Sequence, residues 1–178
     1  EYLEEFKKFN GAVDLIYDIS EYFEPAKPSD DLVGKKLEFE TTDIDGNKIT
    51  SEEIFAENEY TMLNIWATWC GYCVRELPEL EAINERISGK NCAVVGLLGD
   101  GETDETIKSG KALLDEAGVT YLNILPWEGA LSKDLQIEAW PTTFYVDKDG
   151  VITDTVIVGA ETDKYEPAID SLLKKNKK

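Results

Sequence analysis

Apolar positions change their period several times along the chain, and each change marks an element. Residues 60–67 form an almost unbroken apolar run that includes Trp66 and suits a central buried strand. After it, Leu77, Leu80, Ile83 and Ile87 recur at helical spacing, and Gly89 is placed to close that helix. Residues 92–98 read as a second strand, 104–117 as a helix ended by Gly118, and 119–125 as a third strand. A short helix is expected around residues 131–135. Residues 142–146 and 151–158 flank Asp149–Gly150, a hairpin signal, and a closing helix is expected over 162–173. Nearer the start, Leu37 and Phe39, then Asp45–Gly46 and Ile49, read as another hairpin. Thr50 and Glu53 form a capping box for a short helix behind it.

Strand–helix alternation that ends in a hairpin and a helix predicts an α/β domain, a mixed central sheet with helices on both faces. Leu3, Phe6, Val13, Ile16 and Tyr17 have a roughly helical spacing interrupted by Gly11, and Pro25 and Pro28 bracket a linker. The expected organisation is an N-terminal helical extension and linker over residues 1–31, packed on a main domain over 32–178. No internal repeat is present.

Composition narrows the function classes. The 178 residues are 42% hydrophobic, ordinary for one globular domain, and no apolar run approaches the roughly 18 residues of a membrane span, so a soluble domain is expected. A formal net charge of −19 argues against a nucleic-acid partner and against docking on an anionic membrane. Otherwise the acidic residues read as solvated helix faces. The chain has no histidine, which removes Ser–His–Asp and Cys–His catalysis and His-ligated metal or haem. It opens on Glu1 rather than Met, which reads as either a mature form, after loss of a signal peptide or lipoprotein anchor, or a trimmed chain. Three cysteines are too few for a disulfide framework in a chain of this size.

Two of them are spaced for redox chemistry. A strand ending at Ala67 and a helix beginning near Cys70 put the first thiol of Cys70–Gly71–Tyr72–Cys73 at a helix N-terminus, where unpaired N–H groups favour a thiolate. Cys73 lies near one helical turn further on, within reach of a disulfide. Cys70 is therefore expected to be the exposed nucleophile and Cys73 the shielded resolving thiol. The bland alternative, half of a zinc site, lacks ligands, because only Cys92 is left and it opens an apolar strand as a core residue. Glu76 is Cys73 plus three, on the same helix face. Spacing alone leaves it either a proton carrier for the thiols or a solvent-exposed helix glutamate. Pro78 should remove a backbone bond from the helix and bend it.

With these residues the chain resembles the thioredoxin superfamily, specifically the TlpA/ResA-like branch of exported bacterial thiol–disulfide oxidoreductases. The matching segment spans residues 64–78, with Trp69 before the first cysteine, Glu76 three residues after the second and Pro78 two beyond that. The likeness covers residues 32–175 and leaves 1–28 unexplained. It implies a thioredoxin-like fold with an N-terminal hairpin and an inserted helical segment, which residues 100–118 would supply. It favours the proton-handling role for Glu76. It also makes Trp140–Pro141 the cis-proline loop that faces the dithiol and pairs with an extended substrate, and Gly159 part of a third loop nearby. Trp69, Gly71, Tyr72 and Trp140 would complete the substrate-binding surface. The three aromatic residues among them either form an apolar rim or pack mostly on each other.

The resemblance further implies protein disulfides as substrates, a membrane thiol-transport protein as electron donor, no cofactor or metal, and a site of action outside the cytoplasm, by export or lipoprotein anchoring. Within thiol exchange, a disulfide isomerase or oxidase competes with a reductase, since Gly71–Tyr72 also occurs in periplasmic isomerases. Those carry a dimerisation domain that residues 1–31 are too short to supply. A peroxiredoxin-type peroxidase needs a proline seven residues before the cysteine, where this chain has Leu63. A non-catalytic Cu(I)-binding module would ordinarily supply a histidine, which is absent.

Overall fold

The computed structural model describes residues 32–176. The N-terminal helical extension and linker expected over residues 1–31 lie outside the described residues. A small antiparallel pair, β1 (Glu40–Thr42) and β2 (Lys48–Thr50), leads into α1 (Ser51–Phe55). The expected capping box is formed: the Thr50 hydroxyl accepts from the Glu53 N–H, and the Glu53 carboxylate accepts from the Thr50 N–H. Then follow β3 (Tyr60–Trp66), α2 (Gly71–Ser88), β4 (Cys92–Leu98), α3 (Asp104–Ala117), β5 (Asn123–Ile124), β6 (Thr142–Asp147), β7 (Ile152–Val158) and α4 (Thr162–Lys175). The helical segment expected between β4 and β5 is α3.

The main sheet has the order β5-β4-β3-β6-β7. Strands β3, β4 and β5 run parallel, while β6 is antiparallel to β3 and β7 antiparallel to β6. β3 is wholly buried, and its alternation divides the core in two. Met62 and Trp66 face one cluster with Leu77, Leu80 and Ile83 of α2 and Tyr165, Ile169 and Leu172 of α4. Leu63 and Ile65 face the other, with Phe39, Ile54, Phe55 and Phe144. Asn64 lies between Met62 and Trp66 on the α2 face, a polar side chain set into an apolar strand.

Three expectations are corrected. The strand expected over 119–125 shortens to Asn123–Ile124. The N–H groups of Thr120 and Tyr121 go to the Glu81 carboxylate of α2, at 2.7 and 3.4 Å, and so are not free to pair with a strand. The helix expected around 131–135 is a single wide turn, Ala130–Asp134, in which the Leu135 N–H reaches back five residues to the Ala130 carbonyl. Gly89 does end α2, but in a right-handed conformation (φ −64°). The left-handed residue of that turn is Asn91, at φ 57°, a residue type that tolerates it. By contrast Gly118 closes α3 as expected, at φ 71°.

Candidate active site

The end of β3 delivers the chain to the site. Cys70 is the N-cap of α2, in extended conformation, and its sulfur accepts the Cys73 N–H at 3.2 Å. The two cysteines are joined in a disulfide with a Cα–Cα distance of 5.3 Å. The expected order of access holds, since Cys73 is completely buried, but Cys70 is only 6% exposed and not the open thiol the sequence implied. Both sulfurs belong to the core cluster beneath α2. Cys92 is a buried free cysteine whose thiol is pushed up by burial, as befits a core residue.

Electrostatics around the cap is unusual for so acidic a chain. The first turns of α1, α3 and α4 each carry at least one Asp or Glu, whereas that of α2 carries none. The positive end of its dipole therefore meets Cys70 with no acidic residue in its own first turn. Arg75, one turn in, lies 4.6 Å over the Tyr72 ring.

Glu76 is buried, which removes the solvent-exposed alternative. Burial pushes its carboxyl up to about 7, against the partial opposition of hydrogen bonds from Asn64 and Tyr165. Asn64 Nδ2 donates to Glu76 Oε1 at 2.9 Å and also contacts Thr143 Oγ1 at 3.1 Å. The Tyr165 hydroxyl is 2.9 Å from Glu76 Oε2 and 3.1 Å from the Gly159 carbonyl. One phenolic proton cannot fully serve two acceptors. When Glu76 is protonated it donates to the phenol oxygen, the phenol donates to Gly159, and both links are satisfied. The Gly159 N–H in turn donates to the Pro141 carbonyl at 2.8 Å. A continuous hydrogen-bonded chain thus runs from the buried carboxyl to the proline loop.

The Trp140–Pro141 bond is cis, as the resemblance implied. Trp69 and Tyr72, 65% and 68% exposed, are two of three large hydrophobic side chains that stand open to solvent among the described residues. Trp69 meets Trp140 edge-on at 5.4 Å between ring centroids, while Tyr72 lies under Arg75. Trp69 and Trp140 thus pack together, while the Trp69 and Tyr72 side chains remain largely exposed. Gly71 is exposed beside Tyr72. Sequence reasoning missed Asn64, Thr143 and Tyr165. The one available signal was a polar residue, Asn64, inside an apolar strand; Tyr165 is 89 residues from Glu76 and gave none. Among the described residues no group of three or more His, Cys, Asp or Glu is placed to hold a metal ion.

A mixed sheet with a Cys-X-X-Cys disulfide at the head of the helix after its central strand, beside a cis X-Pro bond, defines a thioredoxin-fold thiol–disulfide oxidoreductase. The chain belongs to the AhpC/TSA family, which it matches over residues 33–155. It is 31% identical over 131 residues to the thiol:disulfide interchange protein DsbE of Vibrio cholerae, covering 72% of this chain and 67% of that one. With the thiol-disulfide oxidoreductase ResA of Bacillus anthracis it shares 26% identity over 126 residues, 70% of this chain and 69% of that one. A solved thioredoxin-family thiol:disulfide interchange protein of Chlorobium tepidum matches with a TM-score of 0.65 at 19% identity, over 84% of this chain and 99% of that one. That last likeness is one of fold. The expected superfamily, its thioredoxin-like fold and the redox-active disulfide Cys70–Cys73 are thereby established.

Proposed function

We propose that this chain reduces protein disulfides, with Cys70 as nucleophile and Cys73 as resolving thiol. The Cys70 thiolate attacks one sulfur of a substrate disulfide, forming a mixed disulfide and releasing the first substrate thiolate, which takes up a proton. Cys73, as thiolate, then attacks the Cys70 sulfur. The second substrate thiolate leaves and takes up a proton from solvent, the Cys70–Cys73 disulfide forms, and two electrons have passed to the substrate. Glu76, with its carboxyl near neutrality, receives the Cys73 proton in the second step and returns it when the pair is reduced again. Trp69, Gly71, Tyr72 and the Trp140–Pro141 and Gly159 loops bind the substrate polypeptide. A membrane thiol-transport protein supplies the electrons, and the protein works outside the cytoplasm, exported or lipoprotein-anchored. No described helix is long and apolar enough to cross a membrane.

What supports this reading is a single arrangement: a disulfide capping a helix whose first turn is free of acid, with open aromatic faces on either side. The reducing direction, the membrane donor and the extracytoplasmic location are what the resemblance to ResA-like proteins implies, and that likeness supports them. The test is the reduction potential of the Cys70–Cys73 pair, read in a dithiothreitol or glutathione redox series with Cys70→Ser as control. A value at or below about −250 mV, in thioredoxin's range, is expected. A value above about −180 mV would make the chain an oxidase or isomerase instead.

A further inference from the structure

The turn after β4 touches both sides of the redox site. Gly99 is buried, and its N–H donates to the Trp66 carbonyl at the end of β3, at 2.8 Å. A Cβ placed on Gly99 would lie 2.8 Å from Cζ3 of Trp140, closer still to Cη2, and 3.2 Å from Cδ1 of Leu131. The outer edge of the Trp140 indole therefore lies directly on the Gly99 backbone, in space that any side chain would fill. The same indole packs against both core clusters and meets Trp69, the neighbour of Cys70. The next residue, Asp100, accepts from the Thr68 N–H at 3.1 Å with both carboxylate oxygens and from the Thr68 hydroxyl. Two consecutive residues thus register the loop that leads into Cys70 and the indole that precedes Pro141.

Trp140 is a large side chain for a position beside a substrate groove. With its far edge lodged on Gly99, its ring meets Trp69 edge-on. Were that seat filled, the indole would have to move off Gly99, and Trp140 is only partly buried, with the exposed Trp69 ring as its neighbour.

We propose that Gly99 is a positioning residue that sets substrate selection: by having no side chain it seats the Trp140 indole and keeps the groove beside Cys70 open to a polypeptide. The inference rests on the reading of the chain as a reductase of protein disulfides. It concerns a residue that touches neither sulfur nor substrate. Its effect falls on molecules that must lie along the Trp140–Pro141 loop, and much less on a small dithiol that needs only the sulfur.

The test compares the full chain with Gly99→Ala, Trp140→Val and the double variant. Each is assayed for insulin disulfide reduction, for exchange with dithiothreitol, and for urea unfolding. Gly99→Ala should lower kcat/KM on insulin roughly ten- to a hundredfold, the scale of an ångström's misplacement, mainly through KM. Its loss with dithiothreitol should be clearly smaller. In the Trp140→Val background the same Gly99→Ala change should have little further effect on insulin or on unfolding, within about twofold. Equal losses with insulin and dithiothreitol would overturn the proposal, as would an undiminished effect of Gly99→Ala once Trp140 is valine. If Gly99→Ala does not fold, restoration of folding in the double variant supports the seat, and failure of both overturns it. The unfolding comparison does not depend on catalysis. A wild-type chain that exchanges with dithiothreitol but ignores insulin would sink the reductase reading while leaving the indole seat to be judged by stability.

Discussion

Replacing Cys70 with serine lowers insulin-disulfide reduction by at least about a thousandfold, because a hydroxyl at neutral pH is not an ionised nucleophile. The helix terminus cannot compensate. A helix terminus favours an ionised thiol, but a hydroxyl lies far outside the range in which it could ionise. Cys73→Ser gives a comparable loss of turnover with a different signature. The first attack still occurs, resolution does not, and the variant accumulates as a covalent mixed disulfide through Cys70, visible by non-reducing electrophoresis and intact mass. If Cys73→Ser forms no adduct while Cys70→Ser does, the two roles are reversed.

The second large effect concerns Glu76 and stability. Its carboxyl ionises near 7 in the folded chain and near its ordinary 4.5 once unfolded. Below about pH 4.5 the group is protonated in both states and does not influence the balance. Between 4.5 and 7 the folded chain holds a proton that the unfolded chain has released, so the free energy of unfolding falls as pH rises. Above 7 the difference is fully lost, and it amounts to roughly 3 kcal/mol. Glu76→Gln removes this slope. A neutral amide can still accept from Asn64 and donate to the Tyr165 oxygen, which leaves that phenol free to donate to Gly159. Urea unfolding of the oxidised protein from pH 5 to 8 should show the variant overtaking the parent as pH rises, with the largest gap near pH 8. A slope unchanged by the substitution would place its origin elsewhere. In turnover the same variant loses its proton carrier, so gain in stability and loss of resolution rate are expected together.

What could be read from the sequence was whatever local chemistry dictates. The Thr50–Glu53 box, the left-handed Gly118 and the Cys70-to-Cys73 spacing each involve residues within a turn of one another, and all are found in place. The buried Glu76 network was not legible, because its members come from β3, α2, β6 and α4, and only folding brings Asn64 and Tyr165 to one carboxyl and Thr143 to Asn64. The shortened β5 has the same cause in reverse. Residues 119–122 have the composition of a strand, yet Glu81 from a helix claims two of their N–H groups. Cys70 was expected to be open, and its low exposure follows from the disulfide drawing its sulfur against the helix cap and core. Gly99 carried no signal at all, since a glycine after a strand is ordinary until the indole lying on it is seen.

The first turn of α2 is free of acid, yet the site sits in a strongly negative body, and that gives ionic strength a say in which reductants are admitted. With a net charge of −19, the chain's long-range field slows the approach of anionic thiols over distances of about 30 Å in dilute buffer and about 8 Å at physiological salt. Reduction of the Cys70–Cys73 disulfide by glutathione, itself an anion, should therefore accelerate as salt is added, while reduction by uncharged dithiothreitol should scarcely change. A thiol carried on a protein can press its own apolar or basic surface against Trp69 and Tyr72 and so evade that barrier, which small soluble anions cannot do. Charge alone would then keep the disulfide partly insulated from the surrounding low-molecular-weight thiol pool.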